Sequence, residues 1–200
     1  MKQASIRKGL AAVVLLAVMA VSQPASATVE SAVQFITAFG NRAIEALNRP
    51  SLSPGDREAL VRDLLRQGLE MNFIGRFAFG NYWRKAKPAQ RSEYLALFEF
   101  YVVKIYASWL ARNVGERLIV VDARQANEKD VIVRTRIDRR NDPPFYVEWR
   151  VRVFAGRERI IDIASNGISL AGNQRLEFSA VIKRNGIDGL LKFLRERAAE

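Results

Sequence analysis

Neither histidine nor cysteine occurs anywhere in the 200-residue chain, and each absence removes a class of chemistry. Without histidine there is no side chain whose ordinary pKa suits a neutral-pH proton shuttle, and the standard serine–histidine–aspartate triad cannot be completed. Without cysteine there is no thiol nucleophile, no disulfide and no thiolate for a soft metal. Carboxylates are scattered, in no spacing that suggests an acid dyad or a metal site, and no G-x-G-x-x-G or phosphate-loop pattern appears. No cofactor, metal or catalytic residue is therefore expected. Beyond the N-terminal segment no uncharged run approaches the roughly 20 residues that a spanning helix needs.

What is present is concentrated. Eleven of the nineteen Phe, Tyr and Trp residues fall between Phe73 and Trp109. Large apolar side chains gathered in this way can line a surface for a hydrophobic ligand. The first 27 residues have the form of a secretory signal peptide: Lys2, Arg7 and Lys8, then the apolar run Leu10 to Val21, then Ala25-Ser26-Ala27 as an A-x-A cleavage site. Residues 28–200 are then expected to form one exported domain, held without disulfides by packing alone. The signal carries three of the 32 basic residues and no acidic ones, so the remainder has 29 basic against 21 acidic side chains, a net charge of +8. In an exported protein that balance favours anionic membrane surfaces or acidic proteins as partners, and no nucleic acid.

Periodicity divides the domain into a helical part (29–113), a sheet (117–165) and C-terminal helices (172–198). Helical spacing runs from Val29 to Leu47. Ser53-Pro54-Gly55-Asp56 supplies an N-cap, a first-turn proline and an acid for a helix reaching about Leu69. Gly75 and Gly80 break up Met71 to Gly80, which predicts short helical turns, with Asn81 to Lys85 another short piece. Pro88 starts a long helix to about Asn113, apolar nearly all round, with Gly115 as its stop. Helices from Gly172 to Lys183 and from Ile187 to Ala198 close the chain, separated at Asn185-Gly186.

Alternation marks four strands: Leu118–Ala123, Val131–Arg139, Phe145–Phe154 and Arg159–Ala164. Their short connections predict an antiparallel meander, hence an α+β fold. Val131, Val133, Thr135 and Ile137 share one parity, as do Phe145, Val147, Trp149, Val151 and Val153; arginines and Glu148 fill the other. One face should be apolar around Trp149 and the other arginine-rich. The arginine face can be solvated charge or a docking surface. The apolar face and the long helix can close on each other as a core, or stand apart around a ligand. Asp162, between Ile161 and Ile163, is read as a partly buried structural acid, and Gly167-Ile168-Ser169-Leu170-Ala171 as a turn with a slight likeness to a nucleophile elbow.

Three stretches carry a family likeness: Asn72 to Arg84, with its Gly80-Asn81-Tyr82-Trp83-Arg84 end; Pro88-Ala89-Gln90-Arg91 with Phe98 and Tyr106; and Asp162-Ile163 through Gly167-Ile168-Ser169-Leu170 to Gln174-Arg175 and Phe178. In this order behind a signal peptide, they resemble the MlaC, or toluene-tolerance auxiliary, family. That resemblance implies a curved antiparallel four-stranded sheet of the nuclear-transport-factor type, packed with several helices around an apolar cavity. It implies a periplasmic phospholipid carrier between an outer-membrane lipoprotein complex and an inner-membrane ABC transporter with an MCE-domain subunit. Guided by it, Phe98, Tyr101, Val102, Ile105, Tyr106 and Trp109 are expected to form one wall of a lipid cavity. Val133, Val147, Trp149 and Val151 form the other, with Phe73, Phe77 and Ile168 near the opening. A hopanoid or other lipid carrier of the same fold, or an exported interaction protein with a solid core and no ligand, are the alternatives.

Overall fold

Thr28 and Ser31 open the first helix with a reciprocal capping box, the Thr28 hydroxyl accepting from the Ser31 amide at 3.1 Å and the Ser31 hydroxyl from the Thr28 amide at 3.2 Å. The structure is a computed structural model that describes residues 26–49, 51–112, 117–139 and 142–199. Residues 1–25 of the expected signal peptide, the expected stop at Gly115 and the turn at Asn141 lie outside the described residues. No helix among the described residues is long and apolar enough to cross a membrane.

Helix α1 (Val29–Leu47) buries Ala32, Ile36 and Phe39. Helix α2 (Pro54–Gly68) begins at Ser53, whose hydroxyl accepts from the Asp56 amide at 3.2 Å, and turns Val61, Leu64 and Leu65 inward. The predicted short turns after Met71 are instead one continuous helix, α3 (Met71–Phe79). Gly75 does not interrupt it. A Cβ there would stand 2.9 Å from the Phe98 ring and 3.0 Å from Leu95, so the missing side chain serves close approach to the next helix. A 3-10 turn (Gly80–Arg84) leads to α4 (Pro88–Arg112), which packs against α2, α3 and α5. Tyr94 joins this seam, its hydroxyl donating to the Gly75 carbonyl at 2.9 Å. The long final element α5 (Leu170–Ala199) contains the two predicted C-terminal helices, broken at Gly186 where φ is 71°.

The sheet is open and wholly antiparallel, β1 (Arg117–Gln125), β2 (Asp130–Asp138), β3 (Phe145–Phe154), β4 (Arg157–Ser165) and β5 (Ile168–Ser169), neighbours in chain order. It has five strands, not the four expected. Asn166 and Gly167 both take positive φ, 52° and 77°, the geometry of a tight hairpin, and fold Ile168 and Ser169 back onto Ser165 and Ala164. A two-residue strand leaves no alternation to read. Register shifts occur at Val120/Asp122 and at Arg150/Val151; the second leaves Ile161 as an extra residue in β4.

The predicted faces are present. Val133 pairs with Trp149, Val131 with Val151 and Thr135 with Val147, and all of these but the half-buried Trp149 are buried. On the opposite face the arginines are engaged. Arg150 and Arg152 reach the buried Asp130 at 3.0 and 2.6 Å, Arg136 pairs with Asp138 at 2.8 Å, and Arg134 lies 4.8 Å over the Tyr146 ring. Burial alone would raise the Asp130 pKa. Hydrogen bonds from Arg152 and Asn127, with the charges of Arg152 and Arg150, outweigh it and hold the carboxyl below 3.8.

Candidate functional site

Helix α1 lies over β1 and β2, and its Phe39 ring meets Trp149 edge-on at 6.1 Å. Trp149 is held from the other side, its Nε1 donating to Thr135 Oγ1 at 2.8 Å while that hydroxyl donates to the Val147 carbonyl at 3.3 Å. Around this pair Val131, Val133 and Val151 join Ala32 and Ile36 in a solid core. Past the reach of α1 the sheet continues to Val147, Ile163 and Ser165, and there it faces an open space.

That space is a cavity of about 270 Å³. Helix α4 contributes Phe98, Tyr101, Val102, Ile105 and Tyr106; the sheet contributes Val147, Asp162, Ile163 and Ser165. Leu69 and Ile74 close one side, and the first two turns of α5 close another with Leu170, Ala171, Asn173, Gln174 and Glu177. Its polarity is graded. Phe98, Val102, Val147, Leu69, Ile74 and Ala171 are buried and apolar, whereas Asn173 and Glu177 are exposed. The result is an apolar floor under a polar rim.

Ionisable groups at the rim take their character from this gradient. Burial raises the Tyr106 pKa well above 10, and the Asp162 carboxylate and Tyr101 raise it further. Tyr101 is raised by burial and by Glu177, against lowering from Gln174 and Arg197. Both phenols are neutral at physiological pH. Asp162 Oδ1 accepts from the Ile163 amide at 2.9 Å and the Ala171 amide at 3.2 Å, anchoring the start of α5 to β4. Ser169 Oγ accepts from the Gly172 amide at 2.9 Å, so the serine of the Gly167–Ala171 stretch caps a helix.

Of the thirteen residues expected at a lipid site, the cavity brings together Phe98, Tyr101, Val102, Ile105, Tyr106 and Val147. Val133, Trp149 and Val151 belong instead to the core under α1, because that helix occupies the sheet where the long helix was expected. Phe73 packs edge-on against Phe154 at 5.6 Å with Arg152 over its ring, and Phe77 is 41% exposed beneath Arg175. Ile168 is 61% exposed on the β4–β5 turn. Ile74 and Leu170, their chain neighbours, line the cavity in their place. Trp109 lies in α4, and its side chain falls outside the described residues. Parity and helical spacing missed Asp162, Ile163, Leu170 and Gln174. Those four lie in the closing stretch that carried the family likeness, which was the available signal.

The other two stretches hold the frame. Arg91 donates to the Trp83 carbonyl at 2.9 Å and the Arg84 carbonyl at 3.2 Å, and the guanidinium groups of Arg91 and Arg76 lie 5.5 and 5.2 Å from the centre of the Trp83 ring. Gln90 bonds the Lys87 amide at 2.9 Å and Asp188 at 2.7 Å, tying the start of α4 to the end of the chain.

The fold and cavity define an α+β protein whose helices roof one end of an open antiparallel sheet over an apolar pocket. The family described as MlaC protein matches residues 37–196, and this chain belongs to that family. It is similar to the intermembrane phospholipid transport system binding protein MlaC of Haemophilus influenzae, 19% identical over 151 residues that cover 74% of this chain and 71% of the relative. It is also similar to a phospholipid-binding protein from Ralstonia solanacearum solved in complex with a phospholipid, with a TM-score of 0.71 and 26% identity, covering 83% of this chain and 96% of that one.

Proposed function

We propose that this protein is a periplasmic phospholipid carrier that holds acyl chain in the cavity between α4 and the far end of the sheet. Exported by its first 27 residues, it exchanges lipid between an outer-membrane lipoprotein complex and an inner-membrane ABC transporter with an MCE-domain subunit. The observation that carries this reading is the largely apolar cavity between α4, the start of α5 and the Val147–Ile163 part of the sheet. Membership of the MlaC family and the likeness to a phospholipid-bound structure support it.

The energetics suit a carrier. Each buried methylene is worth about 0.8 kcal/mol, so a sixteen-carbon chain avoids on the order of 12 kcal/mol of water exposure. A cavity nearly as apolar as a bilayer keeps loading and unloading close to balanced. At about 270 Å³ the cavity is a little under the ~300–1,000 Å³ of typical small-molecule sites, so loading widens it, by rotation of side chains such as Ile105, which is 44% exposed.

Native mass spectrometry of protein purified from the periplasm is expected to show a lipid adduct, and solvent extraction to identify it as glycerophospholipid. Ligand-free protein by both methods, even after incubation with phospholipid vesicles, would overturn the carrier reading.

A further inference from the structure

The rim of the cavity carries charge of one sign. Among the described residues Asp162 and Glu177 line it and no Lys or Arg does, Arg197 acting from outside the lining on Tyr101, although basic residues outnumber acidic ones by 32 to 21 in the whole chain. Asp162 uses Oδ1 for two backbone amides, and Glu177 accepts from the Gln174 amide through Oε2 at 2.9 Å. The Tyr101 hydroxyl is a further hydrogen-bond partner of Glu177, and the second oxygen of Asp162 has no protein hydrogen bond among the described residues. Arg150 sits opposite Asp162 across β3 and β4 but directs its guanidinium to Asp130. The extra residue at Ile161 bends β4 beside Asp162, which sets this carboxylate on the cavity wall. On a plain surface two such acids would be solvated charge. Here they border a closed apolar floor, in which Phe98 is 1% and Val147 2% exposed.

Resting on the carrier reading above, we propose that this rim selects phospholipids by headgroup charge, favouring a head that ends in a primary ammonium, as in ethanolamine, over the glycerol head of an anionic lipid. Every phospholipid brings the same phosphate, so repulsion between it and the two carboxylates is common to all and cancels in a comparison. The difference lies beyond the phosphate. An ammonium offers three donors and a positive charge to Asp162 and Glu177, whereas a glycerol head leaves the net negative charge of the lipid uncompensated beside them.

The test is competition. Protein stripped of lipid is incubated with vesicles of equimolar phosphatidylethanolamine and phosphatidylglycerol with identical chains, re-isolated, and its bound lipid extracted and quantified by mass spectrometry. The expected bound ratio favours phosphatidylethanolamine by about three- to fivefold, the range that a partly exposed ion pair supports. The bias shrinks toward unity when salt is raised and in the isosteric double variant Asp162→Asn/Glu177→Gln, whose amides keep the backbone contacts. Since the readout is a ratio, it is independent of total load, and Glu177→Gln alone, on the exposed surface of α5, repeats the measurement without touching the core. Equal or phosphatidylglycerol-rich loading of the wild type, or a bias that survives both the variants and salt, overturns this inference while leaving the carrier reading intact. Protein that takes up neither lipid overturns both.

Discussion

One apolar sheet face meets two different fates within a few residues. On β3, Trp149 meets Phe39 of α1 edge-on and Val151 is buried in the core that also holds Ile36; at Val147, two residues further back from Trp149 along the same parity, the face lines an open cavity. Alternation is the same in both places, and so is residue type. What differs is the partner above. α1 lies against the sheet, whereas α4 packs against α2, α3 and α5 and leaves room beneath Phe98, Tyr101 and Val102. A strand pattern therefore announces that a face is apolar without saying whether protein or ligand covers it.

Mutations on the two sides should separate stability from binding. Trp149→Ala removes the indole from the closed side and its bond to Thr135, and is expected to cost about 3–5 kcal/mol in urea unfolding, while lipid per folded molecule stays at the wild-type level. A loss of lipid comparable to that from a cavity mutation would erase the distinction between the two regions. Ala171→Phe, on the open side, grows a side chain into the cavity. Excluding even two methylenes at about 0.8 kcal/mol each lowers lipid recovery about tenfold, with lipid-free stability changed by less than about 1.5 kcal/mol.

Smaller effects test the frame around both regions. Asp130→Asn weakens the bonds that Arg150 and Arg152 make behind the closed face and should cost about 2 kcal/mol at neutral pH. Since the folded-state pKa of Asp130 lies below its ordinary 3.8, its contribution is complete above that value and disappears as pH falls through the folded pKa. The variant should therefore show a flatter decline of stability in acid than the wild type. Tyr94→Phe removes the hydroxyl from the α3–α4 seam for about 1 kcal/mol. Burial holds that phenol well above its ordinary 10, so its contribution is present below pH 10 and fades as pH rises toward the folded value; thermal melts across the alkaline range should lose part of that slope in the variant.

Local order was legible because it rests on local chemistry. Helical spacing gave Val29–Leu47, Ser53 marked the start of α2, Pro88 began α4, and Phe145–Phe154 appears as the strand that alternation indicated. Gly75 was misread as a break because its value lies in contact with Leu95 and Phe98, some twenty residues away in the chain. The small fifth strand was missed because two residues carry no period. At the cavity, helical spacing and parity, guided by the family likeness, gave the α4 wall, but for the opposite wall they drew in Val133, Trp149 and Val151, which lie in or against the core and do not line the cavity.

From the residues themselves came the α+β class, the order of helices and strands, the apolar and arginine-rich faces, and the exclusion of histidine and thiol chemistry. Periodicity and capping depend on neighbours a few positions apart, so one chain is enough to read them. Which helix lies on the sheet, where the cover stops, and that Asp162 and Glu177 meet at one rim were settled only by tertiary packing, because those relations join segments far apart in the chain and leave no trace in local pattern.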